Sequence, residues 1–557
     1  MADDSKENDQ QKIDSAINEL AERKNDNQRI LATLAFAFII IVIGFPMWFK
    51  TTEVYRVPLP YSKINLLGDD VTKISSKVGI FTYSNERTKL LMNELKTFIL
   101  KEGFIEIEYY AIQIEDTLLA KVNTPASLES TVLKKYPLKS GEFMLLEWTK
   151  FTEDILVTSD RSAFISSQTT ATQIHRVLMQ WIYRLPKLQS VLKTTQKLHD
   201  RKYKVQKKLE NTTPPSAKYD ILVSVFHPRP DQQKVRWNIR AAIDTYIQPF
   251  LKEIQPVSNF VLKSQWKYQV PFEFSKKQIP NSENKSDIHY AVTEENLPHI
   301  ITSIEGKLGI SIHESPTIHL IIYIPPCDNS PLYLYNSKGQ RATNKTIDSF
   351  LSQKWGGIII SNPTAGECSQ WMSNQEKVEV NINTHSVMHA ALFLLRRIID
   401  IHVDTEIPIA NINPWESVTP RSWEIDSHLR ISAVHLISSA TSTLQSLIQL
   451  LDGIRNIVIN DDVGLAINEA YDNIIKAKSH LLNNDLSNAV FYARLAFENS
   501  ERAFFDPSLL ALLYFPDDQK YAIYIPLFLP VMLPIVLSFY SIYKHFQKDK
   551  TIKVKAE

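Results

Sequence analysis

Two stretches near the ends of the chain constrain it most. Ile30 to Phe49 (ILATLAFAFIIIVIGFPMWF) holds twenty consecutive positions without a charge, and Tyr521 to Tyr543 (YAIYIPLFLPVMLPIVLSFYSIY) holds twenty-three. A helix rises about 1.5 Å per residue and the hydrocarbon core of a bilayer is about 30 Å thick, so each run is long enough to cross it. Trp48 ends the first run, and Tyr521, Tyr524, Tyr540 and Tyr543 flank the second. These are the amphipathic rings that settle at headgroup depth. A cleaved signal peptide fits the first run poorly, because its apolar length exceeds the usual range of about 7–15 residues. Lys50-Thr51-Thr52-Glu53 also offers no small-residue cleavage site. A lipid-anchor attachment signal fits the second run poorly, because fourteen mostly polar residues follow it.

Positive charge near the spans sets the expected orientation. Arg23, Lys24 and Arg29 precede the first run; Lys544, Lys548, Lys550, Lys553 and Lys555 follow the second. Both tails, 1–29 and 544–557, are therefore expected in the cytosol, and the bulk between the spans 30–49 and 521–543 on the luminal side. Lys553 and Lys555 match a dilysine-type retrieval signal of the endoplasmic reticulum, an address read by a receptor.

Composition bounds the rest. A formal net charge of +1 over 557 residues gives no electrostatic footprint for nucleic acid. With 44% hydrophobic and 10% aromatic residues, the chain is too apolar to be mostly disordered. Two Cys cannot build a disulfide scaffold, but Cys327 and Cys368 fall in the luminal part, where a bond between them would persist. The alternative is a pair of small buried hydrophobes. Asn211, Asn284 and Asn344 each open an Asn-x-Ser/Thr acceptor on the same side, whereas Asn362-Pro363-Thr364 is excluded by its proline.

Within the luminal part, the periodicity predicts a strand at Lys77–Tyr83, a helix at Asn85–Glu102 and a strand at Phe104–Ile112. The same order recurs at Tyr219–Phe226, Lys234–Ile254 and Asn259–Tyr268, and Ile318–Ile324 and Gly356–Ser361 read as buried strands. Such units predict an α/β fold, a mixed sheet with packed helices, over 50–420. Thr172–Leu209 reads as a long helix that Pro186 should kink or break, with a basic end at Arg201 to Lys208 that reads as a solvated face. After Pro420 the pattern is helical, and residues 421–520 are expected to form helices, one from Gly464 to about Leu482 and another from Leu486 capped by Asp485. Their short link suggests an antiparallel hairpin.

Catalytic motifs are missing. His313-Glu314 opens like a zinc protease, but Thr317 stands where the second His is needed and Pro316 interrupts the helix. There is no Gly-x-Ser-x-Gly elbow, phosphate-binding Gly-Lys loop, Gly-x-Gly-x-x-Gly or Asp-x-Asp. Cys368 with His385 or His389 is a conceivable nucleophile and base, without surroundings that mark either as activated. No catalytic, cofactor-binding or metal-binding residue is therefore assigned, and no cofactor is expected. Pro526, Pro530 and Pro534 lie four apart in the second span. Each frees a carbonyl that lipid cannot satisfy, so the triplet suggests an intramembrane packing partner.

Three strings carry a family resemblance. KTTEVYRVPLPYSKI (Lys50–Ile64), ATSTLQSLIQLLDGIRNIVINDDVG (Ala440–Gly464) and ERAFFDPSLLALLYFPDDQKYAIYIPLFLPVMLPIVLS (Glu501–Ser538) are similar to the PIG-S family, a subunit of the GPI transamidase complex. That complex replaces a C-terminal signal of a proprotein with a GPI lipid in the endoplasmic reticulum. The resemblance implies a non-catalytic, structural subunit. Its implied partners are membrane lipid, the caspase-like cysteine protease PIG-K that carries the catalytic Cys and His, PIG-T, PIG-U and the metallopeptidase-like GPI-anchor attachment subunit. It also marks the connector from Phe504 to Asp518 as a contact region. Alternative readings are a membrane-anchored luminal enzyme acting on glycan or lipid, and a luminal lectin or cargo adaptor.

Overall fold

The structure is a computed structural model. It describes residues 17–556, apart from 19–20, 22–23, 26–27, 53–54, 69–71, 100–102, 116–118, 120–121, 152–153, 200–215, 274–276, 281–287, 309–314, 342–346, 353–354, 375, 404, 416, 454–456 and 512–516. The chain forms two compact units. Leu59–Ile448 and Leu465–Phe504 make the larger; Met1–Pro58, Gln449–Gly464 and Phe505–Glu557 make the smaller.

The larger unit is mixed α/β, and its two principal sheets share one topology. In the first, strands Ile74–Phe81, Ile105–Ala111, Phe143–Glu147, Ile155–Val157 and Ser162–Ile165 lie in the order fourth, fifth, third, first, second. In the second, Lys218–His227, Asn259–Tyr268, Thr317–Tyr323, Asp348–Ser352 and Gly356–Ile360 repeat that order. The fourth strand is antiparallel to the fifth in both, and the other neighbours among these strands are parallel. Helices fall at matching places. Asn85–Ile99 and the helical run from Ile239 to Ile254 join the first two strands; Pro125–Lys135 and Leu297–Leu308 lie between the second and third. Parallel neighbours need such crossovers and are covered on both faces, which is why strands such as Phe143–Glu147 and Gly356–Ile360 are buried at every position. Ala410–Ile412 adds a sixth strand beside Ile155–Val157.

Gly356 sits where the second sheet allows no side chain. Its φ is +145°, and a Cβ there would lie 1.9 Å from the carbonyl oxygen of His319 on the neighbouring strand. Only glycine lets the two backbones approach this closely.

The structure corrects one predicted helix and shows the break expected in another. Lys234–Ile254 is not helical from its start: Gln233–Arg236 is a strand, parallel to Val378–Asn381. The helix begins at Ile239, after Asn238 accepts a hydrogen bond from the Ala241 N–H at 3.1 Å and caps it. The long helix from Thr172 is two helical segments, Ala171–Ile182 and Leu185–His199, separated at Arg184, whose φ is +47°. Pro186 sits in the first turn of the second segment, where its missing N–H costs nothing. The basic residues Arg201 to Lys208 lie outside the described residues.

Helices Ser422–Gly453, Asp461–Leu482 and Leu486–Phe504 follow. Asp485 Oδ1 accepts from the Asn488 N–H at 3.3 Å and caps the last of them.

The smaller unit holds two helices long and apolar enough to cross a membrane, Gln28–Lys50 and Ala522–Lys544. Only 6% of each span is buried. They meet where Trp48 packs edge-on against Tyr524 and Phe528, with ring centroids 5.5 and 5.1 Å away. The second belongs to a helix, Asp517–Ala556, that continues through all three prolines. Beyond the first span the chain is clamped. Val57 N donates to Ile459 O at 3.2 Å, Ile459 N to Tyr55 O at 3.1 Å, and Arg56 Nη2 to Leu451 O at 2.6 Å. Gly464 completes the clamp, since a Cβ there would lie 2.8 Å from Val57 Cγ1.

Candidate functional site

The N-terminal half of the helix Ser422–Gly453 carries an unusual load of buried polarity. Glu424, Asp426, Ser427, His428 and Arg430 are all less than 9% exposed. Each of the charged ones finds a distant partner. Glu424 Oε1 accepts from Arg396 Nη2 and from Arg421 Nη1, both at 2.7 Å, and the Arg396 guanidinium stacks over Trp415 at 4.4 Å. Asp426 accepts from Arg161 Nε at 2.5 Å and Ser140 Oγ at 2.6 Å. Arg430 lies over the Tyr183 ring at 4.9 Å, and Trp423 Nε1 donates to Thr158 O at 3.0 Å. Arg161, Ser140 and Thr158 belong to the first α/β half and Arg396 to the helix Thr384–Ile398 that packs on the second sheet, so this helix ties the two halves together.

A cavity of about 90 Å³ opens beside it. Its walls are mainly apolar, with Val191, Val257, Phe260, Ile318, Ile431 and Leu436 among them, and Lys187, Tyr219, Asp400, His428 and His435 as its titratable groups. His428 and His435 are two helical turns apart on one face of the helix. Burial, reinforced by the cations Arg184 and Lys187, pushes the His428 pKa down to about 3; burial and Lys187 push that of His435 down to about 4. Both rings are neutral at pH 7. Burial and then Arg184 depress the Lys187 ammonium to about 7. Asp400 is its contact, and Arg184 reaches the same residue twice, with Nη1 2.6 Å from Asp400 O and Nη2 2.8 Å from Oδ1.

The backbone holds this group in sparsely populated conformations. Arg184 and Asp400 have φ of +47° and +63°. Asp400 follows the end of the helix Thr384–Ile398 in the left-handed position usually given to glycine: its N–H donates to Arg397 O at 3.2 Å, and that of Ile401 to Arg396 O at 2.8 Å. A non-glycine residue there costs about 1 kcal/mol or more and persists where neighbours over-determine it. Here the Arg184–Asp400 pair does so.

The two histidines make stability depend on acid. An unfolded His titrates near 6.5, so between that pH and the folded values the unfolded chain binds more protons. The contribution of the two histidines is complete above about pH 6.5 and falls on acidification, by about 1.4 kcal/mol per pH unit for each ring. Denaturant midpoints measured from pH 7 to pH 4.5 should fall steeply, and His435→Phe should flatten the profile. An unchanged slope in that variant would remove His435 from the account.

The sequence-level candidates lie elsewhere. Asn211, Asn284, Asn344 and His313-Glu314 lie outside the described residues. Cys327 and Cys368 are joined in a disulfide with Cα atoms 5.2 Å apart, which leaves Cys368 no thiol to act as a nucleophile. His385 and His389 lie tilted to each other with ring centroids 4.2 Å apart, and both meet Tyr246 edge-on. Among the described residues no group of three or more His, Cys, Asp and Glu is placed to hold a metal ion. Pro526, Pro530 and Pro534 are exposed, and Lys553 and Lys555 lie in the last turns of their helix. Local sequence does not show the buried site on the long helix, because several of its partners, Ser140, Thr158, Arg161 and Lys187 among them, stand more than 200 positions away; its one local signal is the alternation of acidic and basic residues in Trp423–Arg430.

Comparison with known proteins matches residues 35–549 to the family described as phosphatidylinositol-glycan biosynthesis class S protein, PIG-S. The chain belongs to the PIG-S family. It is 32% identical to the GPI-anchor transamidase component PIGS of Bos taurus, over 93% of this chain and 95% of that protein. Its identity to the Homo sapiens protein of that name is 31% over the same share of each. The GPI transamidase component PIG-S homolog of Schizosaccharomyces pombe is 23% identical over 94% of this chain and 85% of its own length. The three strings that carry the resemblance fall in or beside the smaller unit, and two of them meet in the clamp of Tyr55–Val57 on Ile459.

Proposed function

We propose that the chain is a structural, non-catalytic component of a GPI transamidase, held in the endoplasmic reticulum membrane by two spans with both termini cytosolic and the α/β bulk luminal. One observation carries this reading: the family match extends over nearly the whole chain and includes the second apolar helix and most of the first. Two further features support it. The buried charges of the long helix are consumed in structural pairs, and Cys368 is bonded to Cys327. The partners in this reading are the caspase-like protease subunit PIG-K, PIG-T, PIG-U and the metallopeptidase-like attachment subunit. The proline-bearing face of the second span is the intramembrane contact.

The test is purification of the tagged full-length chain in a mild detergent. Stoichiometric recovery of a caspase-like cysteine protease is the expected result, with endoglycosidase-sensitive glycan on at least one of Asn211, Asn284 and Asn344. Recovery of the chain alone, under conditions that preserve other membrane complexes, would sink the assembly reading. A chain lacking glycan at all three sites would remove the support expected from them for a luminal bulk.

A further inference from the structure

The cavity beside the long helix has the chemistry of a ligand site. One wall is aliphatic and aromatic, formed by Val191, Val257, Phe260, Ile431 and Leu436. Its polar lining includes Lys187, His428 and His435, the two rings standing two turns apart on one helix face, and Arg184 reaches Asp400 of the same lining. Two cations stand against one carboxylate, so with both rings neutral the cluster keeps a formal charge of +1 while Lys187 is protonated. Asp400 is already engaged by both cations, through Arg184 Nη1 and Nη2 and by contact with Lys187. His428 is 8% exposed, and neither its ring nor that of His435 makes a hydrogen bond among the described residues, though both line the cavity. Their ring nitrogens are open to the cavity, so either imidazole can hydrogen-bond a molecule held there. The strained pair Arg184 and Asp400 fixes the polar end in place, as strain commonly does at binding sites.

We propose that this cavity binds a small monocarboxylate with a short alkyl chain, its carboxylate taking hydrogen bonds from Lys187 and an imidazole N–H and its chain lying against Ile431 and Leu436. The sign of the charge follows from the cluster, and the size from the volume. An engineered cavity of about 150 Å³ holds the six carbons of benzene, so about 90 Å³ with an open mouth suits a chain of about three or four carbons. An alkylammonium of the same length would set a third cation against Lys187 and Arg184, and an alkanol would leave the cluster's charge unanswered.

The probe is 4,4,4-trifluorobutanoate, observed by fluorine NMR with the full-length chain in detergent and displaced by butanoate. Binding with a dissociation constant on the order of 1 mM is expected, as fits a ligand of so few atoms. Lys187→Met, which leaves Asp400 paired with Arg184, should weaken it at least about tenfold. His435→Phe, which removes an imidazole from the lining, should weaken it by a similar factor. Thermal melting of both variants at pH 7.5 checks that they fold, and each is compared with the parent in the same detergent, which cancels partition into micelles. Affinity should also fall as the pH rises through about 7, where Lys187 loses its proton. Three results would overturn the proposal: no binding by the parent chain, equal binding of 4,4,4-trifluorobutylamine, or binding unaffected in both folded variants. None of these bears on assembly with other subunits, so the site and the transamidase reading stand or fall separately.

Discussion

Glu424→Ala is expected to lower the stability of the chain by about 3–5 kcal/mol, the range for deleting one partner of a buried ion pair. The carboxylate holds two guanidinium groups at once: Arg396 and Arg421 both donate to Oε1 at 2.7 Å, and the Arg421 N–H donates to Oε2 at 2.9 Å. The side chains of Arg396 and Glu424 are each 2% exposed, and that of Arg421 is 10% exposed. Removing the carboxylate leaves two cations in a low-dielectric region without a counter-charge, and Trp415 stacked on Arg396 and the Asn413 carbonyl that accepts from Arg421 offset only part of the cost. Glu424→Gln keeps an acceptor but loses the charge, so it should fall between. The contrast is Lys77 with Glu108, an ion pair of 2.9 Å whose side chains are 46% and 65% exposed. Water and salt already screen that pair, and Glu108→Ala should leave the denaturant midpoint where it was. A guanidinium titration of both variants, compared at unchanged slope, reads the difference. Equal midpoints would mean that the long helix is not secured by its buried charges.

What the sequence discloses here follows the range of the interactions. Local periodicity is enough for the strands at 74–81, 105–111, 218–227 and 259–268, because alternation and apolar runs report burial within a few residues. It also shows that strand–helix–strand recurs. It does not show that the recurrence extends to five strands in the same order, because Ile155–Val157 and Ser162–Ile165 are too short to carry a pattern and the second half is interrupted by inserted strands such as Lys277–Pro280 and Ile288–Thr293. Gln233–Arg236 misleads for a related reason: its strand exists only because Val378–Asn381 pairs with it from more than 140 positions away. The site is less legible still. Lys187, Asp400, His428 and His435 belong to three different helical elements or their ends, and only packing brings them to one cavity. Nothing in the neighbourhood of Asp400 marks it as left-handed, since the usual signal there is glycine. The two long apolar helices are the opposite case. Twenty uncharged residues carry their own evidence, and the family strings nearby are local too.

The proline triplet is where that local evidence meets assembly. Replacing Pro526, Pro530 and Pro534 together by leucine is expected to leave the chain folded and membrane-inserted while cutting recovery of its partner subunits at least about tenfold, equivalent to about 1.4 kcal/mol. The argument begins with the helix itself. A proline in a helix interior costs about 3 kcal/mol and removes a donor, here leaving the carbonyls of Ala522, Pro526 and Pro530 without their usual bonds. Leucine restores all three donors, so the isolated span gains stability. The loss must then come from the surface. At about 100° per residue, Tyr524 and Phe528, which meet Trp48, share one side of the helix with the buried Ile535. The three prolines fall on the other side and are exposed. In the proposed assembly, a second helix seated there supplies polar or small side chains to the freed carbonyls and fills the grooves beside the rings, which leucine side chains would occupy. The measurement is co-purification of the other subunits with the tagged triple variant, normalised to the amount of chain in the membrane. Single replacements should each lose part of the recovery. Full recovery with the triple variant would show that the prolines serve only the shape of their own helix, and the partner surface would have to be sought elsewhere on the span.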